Sequence, residues 1–153
     1  KTMVKANIGD IKKIREMTGI SFDLVRQAIE EADGNIELAL QMLKKKGVEM
    51  SAKKSGRETG EGLVFSYVHS NGKIGVLLKL LCETDFVARN EQFKELGHEL
   101  SLHIAAMNPQ NVEELLLQSY IRDQDLTIDA FIKNYISKTG ENIRVGEFCR
   151  FDI

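Results

Sequence analysis

The sequence predicts an α+β fold, in which a helical module precedes a small antiparallel sheet packed with helices. Three observations predict it. Apolar residues recur at helical spacing through the first third of the chain, and a glycine closes each run. The period then changes to two on both sides of Asn71-Gly72. Beyond that pair, helical spacing returns and finally gives way to a mostly alternating tail.

Ile8, Ile11, Ile14 and Met17 form the first helical run and stop before Gly19. Ser21 can cap a second helix with Val25, Ala28, Ile29 and Ala32 on one face, ending at Gly34. Asn35 can cap a third, with Ile36, Ala39, Leu40 and Leu43 inward and Gly47 at its exit. These short helices predict a three-helix bundle of the ubiquitin-associated type over residues 1–48. Its Thr18–Phe22 turn, on local chemistry alone, is a plain helix connection. Residues 49–60 read as a basic linker, since six basic residues and one acid, Glu49, lie between Lys44 and Arg57.

Residues 61–153 form the expected α+β core. Leu63–Ser70 and Lys73–Cys82 are two strands, and Asn71-Gly72 suits a type I′ turn with positive φ at both positions. That loop aligns Phe65 with Leu78, Tyr67 with Val76 and His69 with Ile74, so one face is continuously apolar. The second strand is apolar on much of its other face as well, which places it centrally. Phe93, Leu96, Leu100, Ile104 and Met107 then form a helical stripe ending at Asn108-Pro109. Pro109 can start a helix over Val112–Leu117, and a further helix from Thr127 carries Ile128, Phe131, Ile132, Tyr135 and Ile136 to Gly140. The tail Ile143–Ile153 reads as a third strand, with Cys149 in phase with Val145 and Phe151 as a buried thiol.

Composition narrows the function. The 153 residues are 42% hydrophobic and 29% charged, a globular composition. No apolar run approaches the roughly 20 residues that cross a bilayer. The formal net charge of −2 argues against a dedicated nucleic-acid binder. Two distant cysteines, Cys82 and Cys149, suit a reducing compartment, so a cytoplasmic setting is expected. Gly72-Lys73 lacks the glycine and the hydroxyl residue of a phosphate-binding loop, and His98 and His103 are five apart, a poor step for paired ligands. No cofactor is expected. Nothing resembles a site for bond-making chemistry, which favours a binding or regulatory protein over an enzyme.

The chemistry-bearing stretch is Cys82-Glu83-Thr84-Asp85-Phe86-Val87-Ala88-Arg89-Asn90, where an apolar strand ends and a helix begins. Thr84 is a good N-cap, and Asp85 places negative charge at the positive end of the helix dipole. Phe86 follows at the helix mouth. Its side chain either projects from the tip or, seven residues before Phe93, joins the helical stripe; periodicity alone leaves both open.

The string Thr84-Asp85-Phe86-Val87-Ala88-Arg89-Asn90 resembles the signature of the elongation factor Ts family. So do Glu31-Ala32-Asp33-Gly34-Asn35-Ile36-Glu37, the 52–64 segment, His103–Pro109, and Gly140–Ile143 with Phe148–Phe151. The resemblance implies a guanine-nucleotide exchange factor acting on elongation factor Tu, bound in its GDP-loaded and nucleotide-free states. In that family the Asp-Phe pair enters a pocket between two helices of the GTPase domain and disturbs its Mg²⁺ site. Carried over, Phe86 is the wedge, Asp85 its polar companion, and Thr84 and Val87 shape the turn. Arg15, Phe22 and Arg26 are implied as partner contacts of the N-terminal module.

Two departures accompany it. The family's Ala-Gly-Met-Met-Asp-Cys-Lys-Lys is here Ile20-Ser21-Phe22-Asp23-Leu24-Val25-Arg26-Gln27. The chain also passes almost directly from Pro109 to its last helix, without the long middle segment and second core repeat of full-length members. Short members can complete the arrangement by dimerising, so a homodimer is implied. The rival readings are an adaptor of the ubiquitin-associated type and a ribosome-associated module using the Lys44–Arg57 strip.

Overall fold

The structure, a computed structural model, describes residues 4–153. It divides into two compact units, one ending at Lys53 and one running from Lys54 to Ile153.

The first unit is built from α1 (Ile8–Thr18), α2 (Phe22–Glu31) and all but the last residue of α3 (Ile36–Lys54). Asn7 caps α1 by accepting the Gly9 N–H at 2.8 Å, and Asn35 caps α3 by accepting the Leu38 N–H at 3.1 Å. Ser21 flanks α2 without a side-chain cap bond. The core joins Ile11, Ile14, Val25, Ala28, Ile29, Ala32, Ala39 and Leu43. Ile8 and Met17, expected to share the α1 stripe, are exposed instead. At 3.6 residues per turn, a step of three drifts backwards around the helix, so positions nine apart end on opposite sides. Helix α3 also passes through Gly47, where a stop was expected, and continues to Lys54. One interior glycine costs only about 1 kcal/mol against alanine, and the residues that follow favour helix.

In the second unit, β1 (Glu61–Val68), β2 (Ile74–Cys82), α4 (Asp85–Ala88), α5 (Glu91–Met107) and α6 (Val112–Leu117) come first. They are followed by β3 (Ser119–Tyr120), β4 (Asp123–Thr127), α7 (Ile128–Thr139) and β5 (Ile143–Asp152). The main sheet has the order β1-β2-β5, with both pairs antiparallel, so β2 is central as expected. Phe65 lies opposite Leu78 and Tyr67 opposite Val76, the predicted register. The turn is different: Gly72 alone has positive φ, at 69°, and its N–H donates to the His69 carbonyl. Asn71 spends its side chain on the Lys73 N–H at 3.0 Å. Register survives because the apolar face, not the turn type, fixes it.

Within this unit the helices cover one face of the sheet. Phe93, Leu96, Leu100 and Ile104 of α5 are wholly buried with Val76, Leu78, Leu80 and Cys82 of β2, each large side chain contributing about 1.5–3 kcal/mol. A Cβ at Gly97 would lie 2.2 Å from the Phe65 ring, so the absent side chain is what lets α5 approach β1. Ile128, Phe131, Ile132, Tyr135 and Ile136 of α7 complete the core, and Gly140 ends that helix at φ 77°.

Cys149 is exposed, contrary to its expected burial. The reason is a register shift between Lys79 and Leu80, where Val145 faces Leu80 but Glu147 faces Lys79. Gly146 is the extra residue. Such a bulge reverses the alternation beyond it, so Val145 points inward while Cys149 and Phe151 point outward.

Candidate partner-binding site

At Cys82 the central strand leaves the sheet, and Thr84 takes an extended conformation before α4. Its hydroxyl oxygen accepts the Val87 N–H at 3.4 Å, the cap read from the sequence. Asp85 opens the helix and pairs with the Arg89 guanidinium at 3.1 Å. Both groups are well exposed, so the pair adds little stability and leaves the carboxylate open to a partner.

Helix α4 lasts only four residues. Asn90 is extended and caps α5 by accepting the Gln92 N–H at 2.7 Å, so α4 and α5 are separate helices with a break between them. That break decides between the two positions open to Phe86. Its spacing from Phe93 has no meaning across an interrupted helix, and its side chain is 82% exposed. Val87 and Ala88, next in the chain, are buried in the core. The four signature residues thus divide: Thr84 caps, Asp85 is half-exposed, Phe86 projects and Val87 anchors.

Sequence reasoning missed the residues that hold this tip. The Glu141 carboxylate accepts the Thr84 N–H at 3.0 Å through one oxygen and the Thr84 hydroxyl at 2.7 Å through the other. In return the Glu83 carboxylate accepts the Asn142 N–H at 2.7 Å. Asn142 also donates from its side chain to the Arg57 carbonyl at 3.0 Å, and Arg57 lies 3.6 Å from Glu83. The Cys82 thiol donates to the Thr84 carbonyl at 3.2 Å. Burial, reinforced by the charge of Glu141, pushes that thiol up to about 11.

Arg15, Phe22 and Arg26 belong to the other compact unit. Phe22 begins α2 with its ring exposed. The Arg15 side chain reaches over the turn to donate to the Ile20 carbonyl at 3.4 Å. Arg26 is occupied by acids of its own helix, Glu30 at 3.2 Å and Asp23 at 3.9 Å. Met17, read as core, is an exposed apolar side chain at the end of α1.

His103 is a packed histidine, wholly buried with its Nε2 2.9 Å from the Gln118 amide oxygen. Among the described residues no group of His, Cys, Asp and Glu is arranged to hold a metal ion, and no helix is long and apolar enough to cross a membrane.

The profile of the family described as "Elongation factor TS" matches residues 83–153, which begin at the signature and end with β5. The chain is 41% identical to elongation factor Ts of Fervidobacterium nodosum, over 94% of this chain and 95% of the relative. It is 39% identical to that of Thermotoga maritima, over 94% of each. The Fervidobacterium alignment runs over 188 positions, more than the 153 residues here, so that relative carries inserted residues. The protein of Aquifex aeolicus aligns over 148 positions at 42% identity, and this chain covers 51% of it. Similarity of this extent, spanning both compact units and including the signature and the 140–142 turn that pins it, means that the chain belongs to the elongation factor Ts family of translation elongation factors.

Proposed function

We propose that this chain promotes the release of GDP from elongation factor Tu, acting as an exchange factor without making or breaking a covalent bond. The observation that carries this reading is Phe86: a large apolar side chain, mostly in solvent, on a helix whose next two residues are buried. Keeping it there costs apolar exposure that only a partner's pocket recovers, about 1.5–3 kcal/mol for a phenylalanine. Phe86 wedges between helices of the GTPase domain and disturbs its Mg²⁺ site, Asp85 supplies the polar contact beside it, and Thr84 and Val87 hold the turn. By linkage, a partner that favours the nucleotide-poor state is itself bound more weakly when GDP is present.

Residues 1–48 act as a docking module, with Arg15, Phe22 and Arg26 as its contacts. The setting is cytoplasmic. Two copies of the chain associate through the face of the sheet that the helices of its own unit leave open. There Val64, Val68, Leu77 and Phe151 are exposed, and Lys79 pairs with Glu147 in their midst. This surface is largely apolar, and its Lys79 and Glu147 offer opposite charges to a second copy across a two-fold axis.

Substoichiometric amounts of the chain added to elongation factor Tu loaded with fluorescent GDP test the reading. An exchange factor accelerates release of many equivalents. A ubiquitin-associated adaptor or a ribosome-associated module leaves the spontaneous rate unchanged.

A further inference from the structure

We infer that Glu141 is a positioning residue for the projecting tip, an inference that rests on the exchange reading. Glu141 sits in the turn after α7, 57 residues from Thr84, yet both of its carboxylate oxygens are committed to that residue. The hydroxyl bond fixes the direction of the Thr84 proton. With its hydrogen given to Glu141, the hydroxyl turns its lone pairs toward the Val87 N–H, so the acid orients the cap of α4. The backbone bond holds Thr84 itself at the end of β2. The same turn is gripped from the other side by Glu83 through the Asn142 N–H. Each segment's carboxylate therefore answers a backbone N–H of the other.

A four-residue helix has too few internal bonds to hold its own direction. The aim of Phe86 is therefore set by what surrounds α4: Val87 and Ala88 in the core on one side, and the Glu141 brace at its start. Charge-assisted bonds of this kind are stronger than neutral ones and confer geometry as well as energy. A side chain displaced by about 1 Å from its productive position loses much of its effect on a reacting centre. Glu141 touches neither partner nor nucleotide in this account; it acts through Thr84.

The test compares Glu141→Ala, Glu141→Gln and Phe86→Ala in GDP release from elongation factor Tu as factor concentration is varied. Glu141→Ala lowers the maximal rate roughly tenfold, the scale of one charge-assisted hydrogen bond, and changes the half-saturating concentration little. Glu141→Gln keeps the length and one acceptor oxygen, and its maximal rate falls between those of the wild type and Glu141→Ala. A loss of folded protein alone would do the reverse, raising the half-saturating concentration and sparing the maximum. Amide exchange on the free protein reads the brace without the partner: protection of the Thr84 and Val87 N–H groups is lost in Glu141→Ala and kept in Phe86→Ala. Unchanged protection, or an unchanged maximal rate beside a slow Phe86→Ala, overturns the role of Glu141 and leaves the wedge standing. A Phe86→Ala variant that exchanges at full rate overturns the wedge reading, and the positioning role with it.

Discussion

Phe86 and Val87 are adjacent apolar residues with opposite fates, and the difference gives a direct stability test. Phe86→Ala removes an exposed ring and changes folding free energy by less than about 0.5 kcal/mol. Val87→Ala opens space in the core and costs about 1–3 kcal/mol. Urea unfolding of the two variants checks this; a Phe86→Ala loss as large as that of Val87→Ala would make Phe86 a core residue. The cap at Thr84 and the charge at Asp85 were legible in the sequence because both rest on local chemistry. The exposure of Phe86 was not decided there, since it depends on the break at Asn90. Nothing local announces Glu141, whose partner is far away in the chain.

α7 carries its five expected buried residues and the β1–β2 register is as predicted, while Met107, expected to close the α5 stripe, is exposed in the helix's last turn. The failures have distinct physical causes. The Gly146 bulge displaced Cys149 because alternation carries across a strand only while pairing is one to one. The β3–β4 pair, Ser119–Tyr120 with Asp123–Thr127, was too short and polar to show a period. Gly47 was read as a stop, but it has no left-handed conformation and α3 continues past it. Gly47→Ala should therefore stabilise the protein by about 0.5–1 kcal/mol through helix propensity and chain entropy. A loss of stability of that size, measured by thermal unfolding, would mean the helix ends there.

The stability of the second unit, which carries His103, should respond to acid through that residue. Burial holds this imidazole below its ordinary value of 6.5, with the Gln118 bond acting weakly in the other direction. As pH falls through about 6.5, the unfolded chain takes up the proton first, so stability present above that value declines on acidification. The urea midpoint should drop between pH 7.5 and 5.5, and His103→Gln should flatten that slope; an equal slope in the variant would assign it elsewhere. Glu99 acts in a lower window. Burial raises its carboxyl, but the Tyr120 hydroxyl and Arg122 pull it further down, below 4.5, so its contribution is lost only as pH falls beneath that. At the level of assembly, light scattering at micromolar concentration should give twice the 17.2 kDa of one chain, with Leu77→Glu on the open sheet face returning a monomer. A monomer at every concentration would remove the dimer from this account.

In the proposed exchange reaction, Phe86, exposed in the first turn of α4, is the side chain that drives nucleotide off the GTPase. Stopped-flow release of labelled GDP from elongation factor Tu, at saturating wild-type or Phe86→Ala chain, measures it most directly. The expected result is a Phe86→Ala protein that folds normally but, even at saturating concentration, releases GDP at least about tenfold more slowly, the equivalent of about 1.4 kcal/mol. Release at the wild-type rate by that folded variant would mean that Phe86 is not the wedge.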